Sequence, residues 1–160
     1  MSARKIIGVI GAGQCSTEIA ALAEEVGGVI AERNAILICG GLFGVMEAAC
    51  RGARARGGMT IGILPGCHKS EANRYVDLAI PTGMSEARNI IIVRAADGVI
   101  AVGGKYGTLS EMAFCLKFGV PVVGLRTWQV SKEVVVAKTA EEAVSRIFEL
   151  IGRQGSEYLC

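Results

Sequence analysis

The residue types best suited to chemistry gather between positions 103 and 111, where Gly103-Gly104-Lys105-Tyr106-Gly107-Thr108 leads to Glu111. Backbone N–H groups unshielded by Cβ atoms approach an anion closely, so Gly104, Gly107 and the Thr108 hydroxyl can donate to a phosphate. Glu111 lies one turn further on and can act as acid, base or charge stabiliser. Thr108-Leu109-Ser110-Glu111 also spells a capping box, in which Thr108 accepts from the Glu111 N–H and the carboxylate reaches back. A cap needs no companion, whereas a catalyst does. Arg88 is the candidate partner, because the segment it enters is apolar at Ile90, Ile91, Ile92 and Val93, and a buried guanidinium is costly unless it faces a pocket. Lys105 can add a second cation; a solvated lysine is the plain alternative.

Other glycine loops follow other apolar runs: Gly11-Ala12-Gly13, Gly40-Gly41-Leu42-Phe43-Gly44, Pro65-Gly66 and Pro81-Thr82-Gly83. The candidate ligand-binding set is therefore Gly11, Gly13, Gly40, Gly41, Gly44, Gly103, Gly104, Lys105, Gly107 and Thr108, with Arg88 and Glu111 as the catalytic candidates. Two familiar phosphate motifs do not fit. Ser16 stands where a dinucleotide fingerprint needs its third glycine, and no acidic residue follows Cys39 to hold a ribose. Gly104-Lys105 is followed by Tyr106 instead of the Ser or Thr of a P-loop. Glu86 and Glu47 are candidate second carboxylates, with ordinary helix surface as the alternative. Cys67-His68 lacks the paired spacing of a zinc site, and nothing around Lys105 resembles a pyridoxal-phosphate scaffold, so neither metal nor cofactor is expected.

The elements that must position these residues are short apolar runs at helix-sized intervals: 6–10, 35–39, 59–64, 76–80, 98–102 and 120–125, with 134–136 as a further short strand. Helical periodicity occupies 18–33, 45–56, 84–96, 109–118 and 143–151, the last led by a Thr139/Glu142 capping box. Strands alternating with helices predict one Rossmann-like, doubly wound α/β domain over residues 1–160, with a mostly parallel sheet of six to seven strands and helices on both faces. In such sheets ligands bind beyond the carboxyl ends of the strands, where these glycines fall.

Composition agrees with a packed domain: 160 residues, 51% hydrophobic and 20% charged, enough for a core without staples. Seventeen Lys and Arg against 15 Asp and Glu give a formal charge of +2, too weak a field to argue for nucleic acid. Six cysteines without a C-x-x-C pair read as reduced thiols. With no signal-peptide pattern and no membrane-length apolar run, a cytoplasmic location is expected. The apolar faces of 45–56 and 109–118, including Met46, Met112, Phe114 and Phe118, predict a homodimer or higher homo-oligomer, with buried core as the alternative.

The Gly40-to-Met46 loop, Arg88 and the Gly104-to-Glu111 stretch, in this order, resemble the LOG (lonely guy) family, often called lysine-decarboxylase-like. The sequence is also similar to a short branch that resembles molybdenum cofactor carrier proteins. The resemblance covers roughly residues 5–125. It implies a Rossmann-like dimer that binds a nucleoside 5'-monophosphate and cleaves its N-glycosidic bond to free base and ribose 5-phosphate. In that case Arg88 and Glu111 are catalytic, and Gly104, Gly107 and Thr108 hold the phosphate. The alternative it implies is a non-catalytic carrier of a phosphorylated pterin. Against the family loop P-G-G-x-G-T-x-x-E, this chain has Gly103 for the proline and Lys105 for the second glycine. Asn89 replaces the lysine that usually follows the arginine. Phosphate binding is therefore better supported than hydrolysis.

Overall fold

The computed structural model describes residues 3–157. Its elements run β1 (Ile6–Gly11), α1 (Thr17–Glu32), β2 (Ile36–Cys39), α2 (Val45–Ala55), β3 (Thr60–Leu64), β4 (Leu78–Pro81), α3 (Asn89–Ala95), β5 (Gly98–Val102), α4 (Tyr106–Phe118), β6 (Val122–Leu125), β7 (Val135–Ala137) and α5 (Ala140–Glu157). Short 3-10 turns occupy Lys69–Glu71 and Ser85–Arg88.

The strands form one seven-stranded sheet in the order β4-β3-β2-β1-β5-β6-β7, and every pairing is parallel. This is the Rossmann-like α/β architecture expected from the alternating runs. Because β2 lies on one side of β1 and β5 on the other, the order reverses between β1 and β5. Loops leaving that switch point diverge and open a crevice. Gly11 pairs with Val102, so both strands end level at its floor.

Side chains alternate across the sheet and fill two cores. On one face Ile7, Val9, Leu37 and Ile100 pack against Val26, Ile30, Ala49, Val144 and Ile147 of α1, α2 and α5. On the other, Ile10, Ile38, Ile63 and Val99 meet Ile92, Val93, Met112 and Cys115 of α3 and α4. The first two helices touch backbone to backbone: a Cβ on Gly27 would stand 1.9 Å from the Ala49 carbonyl oxygen, and one on Gly52 1.8 Å from that of Glu24.

Several expectations need correction. The predicted 84–96 helix is a 3-10 turn, entered at Ser85 with a φ of +51°, that runs directly into α3. The α4 helix starts at Tyr106, three residues before the expected Leu109, and α5 extends beyond the expected span. Met46 and Met112 belong to the cores of the subunit, because the central strands are covered on both faces. They are not available to a dimer face. Among the expected boundary signals, Glu142 donates its N–H to Thr139 Oγ1 at 3.1 Å, while its carboxylate accepts from the Lys138 N–H. Among the described residues, no helix is long and apolar enough to cross a membrane.

Candidate functional site

Three loops converge on the switch point. Gly44, with φ +62°, turns β2 into α2, and a Cβ there would stand 2.4 Å from the Ala12 carbonyl oxygen. The Val45 N–H donates to that oxygen at 3.1 Å, locking the β1 and β2 loops together. After β5, Gly103 and Gly104 both take positive φ, and Gly104 at +113° has room only for hydrogen because the Thr108 side chain folds over it. Thr108 is consequently buried.

Since α4 begins at Tyr106, Thr108 lies inside the first turn and the expected Thr108/Glu111 capping box does not form. No side chain caps the N-terminus of the helix. Its first N–H groups keep their donor capacity and the positive end of the helix dipole faces the crevice. Gly107 has open space where a Cβ would project.

Arg88, at the end of the Ser85–Arg88 turn, is 8% exposed. Its guanidinium lies across Gly40: a Cβ at position 40 would come within 2.7 Å of Nη2. Nη1 donates to Asn89 Oδ1, while Nε is buried without a partner. Such a donor costs free energy until something accepts from it. Asn89 in turn donates through Nδ2 to Ser110 Oγ at 3.3 Å, and that hydroxyl donates to the Gly107 carbonyl at 2.7 Å. Asn89 thus links the arginine to the first turn of α4.

Glu111 is 6% exposed. Burial pushes its carboxyl up to about 8, and the positive charge of Arg88 offsets only part of that. Burial likewise lowers the Arg88 pKa, against the opposing pull of Glu111. The two side chains form no ion pair within 4 Å among the described residues. At neutral pH the cavity floor therefore holds a protonated carboxyl, a guanidinium and uncapped helix N–H groups. All of these attract an anion.

Arg88 and Glu111 line one cavity of about 510 Å³ together with Gly11, Gly13, Gly40, Lys105, Gly107 and Thr108. Gly41, Gly44, Gly103 and Gly104 do not line it; they shape the turns that place the others. Glu47 also lies outside, whereas Glu86 lines the mouth. There the Ser85 hydroxyl donates to its carboxylate and holds its pKa below the usual range, with a smaller contribution from Arg88. Sequence reasoning missed Gln14 and Asn89 as lining residues. Asn89 carried a signal in its position beside Arg88. Among the described residues no group of three or more His, Cys, Asp or Glu is placed to hold a metal.

A parallel sheet with its cavity at the switch point, lined by glycine loops and by the buried Arg88 and Glu111, defines a Rossmann-like α/β fold with an open crevice. The chain belongs to the SLOG cluster4 family, whose model matches residues 4–151. This places it in the wider SLOG/LOG superfamily to which the sequence resemblance pointed. An uncharacterized protein of Archaeoglobus fulgidus is 48% identical over 139 residues, 87% of this chain and 91% of that one. The molybdenum cofactor binding protein of Rippkaea orientalis has the same fold, with TM-score 0.89 and 36% identity across 94% of this chain and 99% of that one. The cytokinin riboside 5'-monophosphate phosphoribohydrolase of Mycobacterium tuberculosis is 36% identical over 98 residues. That match covers 59% of this chain and about half, 52%, of the enzyme.

Proposed function

We propose that the cavity binds a phosphorylated small molecule carrying a heterocycle, a nucleoside 5'-monophosphate in the first instance, with its phosphate against the α4 N-terminus and Arg88. The observation that carries this reading is the buried Arg88 guanidinium that lines the cavity beside an uncapped helix start. A phosphate can accept from the guanidinium and the helix N–H groups together, and charge-assisted bonds of this kind are about twice as strong as neutral ones. Gly11, Gly13, Gly40, Gly107, Thr108 and Lys105 form the rest of the cradle, while Gly41, Gly44, Gly103 and Gly104 hold its loops in shape.

The same arrangement suits cleavage of the N-glycosidic bond. Glu111 holds a proton at neutral pH and can deliver it to the departing base, while the ionised Glu86 can face the ribosyl cation or draw a proton from water. Two carboxyl groups with pKa values pushed in opposite directions give an acid and a base from one residue type. The relatedness to a phosphoribohydrolase supports this activity. A non-catalytic carrier of a phosphorylated pterin is the second reading, favoured by the likeness to a molybdenum cofactor binding protein over nearly its whole length and by Lys105, which adds a charge suited to retention. Incubating the purified protein with nucleoside 5'-monophosphates and measuring free base separates the two. Release that disappears in Glu111→Gln supports the hydrolase; binding without release refutes it; neither binding nor release refutes the nucleotide reading, and the pterin carrier is then tested by binding of a phosphorylated pterin.

For the assembly we infer a homodimer in the cytoplasm. Phe114 and Phe118, stacked at 5.8 Å on the half-buried outer side of α4, remain from the face expected to pair. The exposed Leu78 and Ile80 of edge strand β4 extend the apolar surface of that side of the sheet.

A further inference from the structure

Two exposed aromatic rings flank the loop after β5, which carries Lys105 and Gly107 into the cavity lining, and neither ring belongs to the cores or to that lining. Tyr106 is 80% exposed although it lies between Lys105 and Gly107, both of which line the cavity. Trp128, in the segment after β6, stacks on it with ring centroids 6.1 Å apart and planes inclined by 28°. The Trp128 indole Nε1 donates to the Lys105 carbonyl at 3.3 Å, fixing the indole to the loop that frames the site. Thr127 reinforces this by donating its hydroxyl to the Gly103 carbonyl. The pair is therefore held by backbone contacts on both sides of the glycine turn, yet most of the Tyr106 ring faces solvent. An exposed aromatic pair fixed to a loop that lines a cavity offers a flat face to a planar ligand.

We propose that Tyr106 and Trp128 form a stacking platform for the planar heterocycle of the ligand whose phosphate occupies the α4 N-terminus. This rests on the reading of the cavity as a phosphorylated-ligand site and assigns the other end of that ligand. The geometry favours a ligand over a protein partner because the rings are tied to a residue that lines the cavity. Any purine, pyrimidine or pterin offers a π face, so the platform selects for flat heterocycles over bare sugar phosphates while discriminating weakly among bases.

Trp128 is the only tryptophan of the chain, so its fluorescence reports on the platform directly. The test measures binding of AMP, GMP and ribose 5-phosphate to the wild-type protein and to Tyr106→Ala, with circular dichroism to confirm folding. Removing an exposed ring leaves the fold intact, because no core contact is lost. The expected result is that AMP and GMP quench Trp128 and ribose 5-phosphate does not. In Tyr106→Ala, both nucleotides should bind roughly tenfold more weakly while ribose 5-phosphate affinity is unchanged. Nucleotide binding unaffected by the substitution overturns the proposal and leaves the phosphate site standing, with the heterocycle then placed against Leu42, Met46 and Pro65. Equal weakening of all three ligands also overturns it, as does a change of oligomeric state without a change in nucleotide affinity. Wild-type protein that binds none of the three refutes the phosphate reading and this inference together.

Discussion

Glu111→Gln tests the electrostatics of the cavity without any ligand. Its carboxyl is raised from an ordinary 4.5 to about 8 by burial. Between those pH values the folded chain keeps a proton that the unfolded chain has released, so folding stability contributed by this group is fully present below about 4.5 and falls as pH rises. The slope is about 1.4 kcal/mol per pH step of one, which over the whole interval amounts to about 4–5 kcal/mol. Glutamine keeps the shape and has no proton to lose. The variant and the wild type should therefore have similar stability at pH 5 and separate progressively to about pH 8, with the variant the more stable. Above that the difference should level off. A kcal/mol moves Tm by about 2–4 °C in a chain of this size, so the separation is on the order of 10 °C. Thermal and urea unfolding from pH 4.5 to 9 read it out. Parallel stability curves for the two proteins would refute the assignment of Glu111 as a buried acid.

Other substitutions probe the remaining parts. Arg88→Met removes an incompletely satisfied buried charge, so stability should hold or rise while AMP affinity falls at least a hundredfold, measured by calorimetry. Gly40→Ala should displace the guanidinium and the Met46 sulfur, whose atoms stand 2.7 and 2.8 Å from the new Cβ; AMP affinity should drop with only modest loss of stability, since both obstacles are side-chain ends. Gly27→Ala instead meets backbone at 1.9 Å, forces α1 and α2 apart, and should cost roughly 2–4 kcal/mol in urea unfolding. Phosphate binding to the wild type should weaken above about pH 8, where Glu111 loses its proton and the anion meets a carboxylate.

The central strands were legible because they are buried on both faces and read as unbroken apolar runs, and glycine loops marked the carboxyl ends of β1, β2 and β5. The last short strand was found at 134–136 and lies at Val135–Ala137. Less legible was the segment carrying Arg88. Its apolar residues have helical spacing, but Ser85 departs from helical φ, and nothing in the residue types announces that. The start of α4 was misplaced for a related reason. Thr108 and Glu111 match a cap signature by type, while the positive φ of Gly103 and Gly104 turns the chain early enough to begin the helix at Tyr106. That shift converts Thr108 from a cap into a buried wall of the cavity. The role of Gly40 in making room for Arg88 is a contact between residues 48 positions apart. Such a contact requires the β2 loop and the Ser85–Arg88 turn to meet in space, which periodicity does not encode.

The most direct test of the central claim is a crystal structure of the protein grown with AMP. The phosphate is expected within hydrogen-bonding distance of the Arg88 guanidinium and the first N–H groups of α4, in the cavity that Glu111 lines. A phosphate bound elsewhere, or a nucleotide in that cavity with its phosphate turned away from Arg88, would contradict the account.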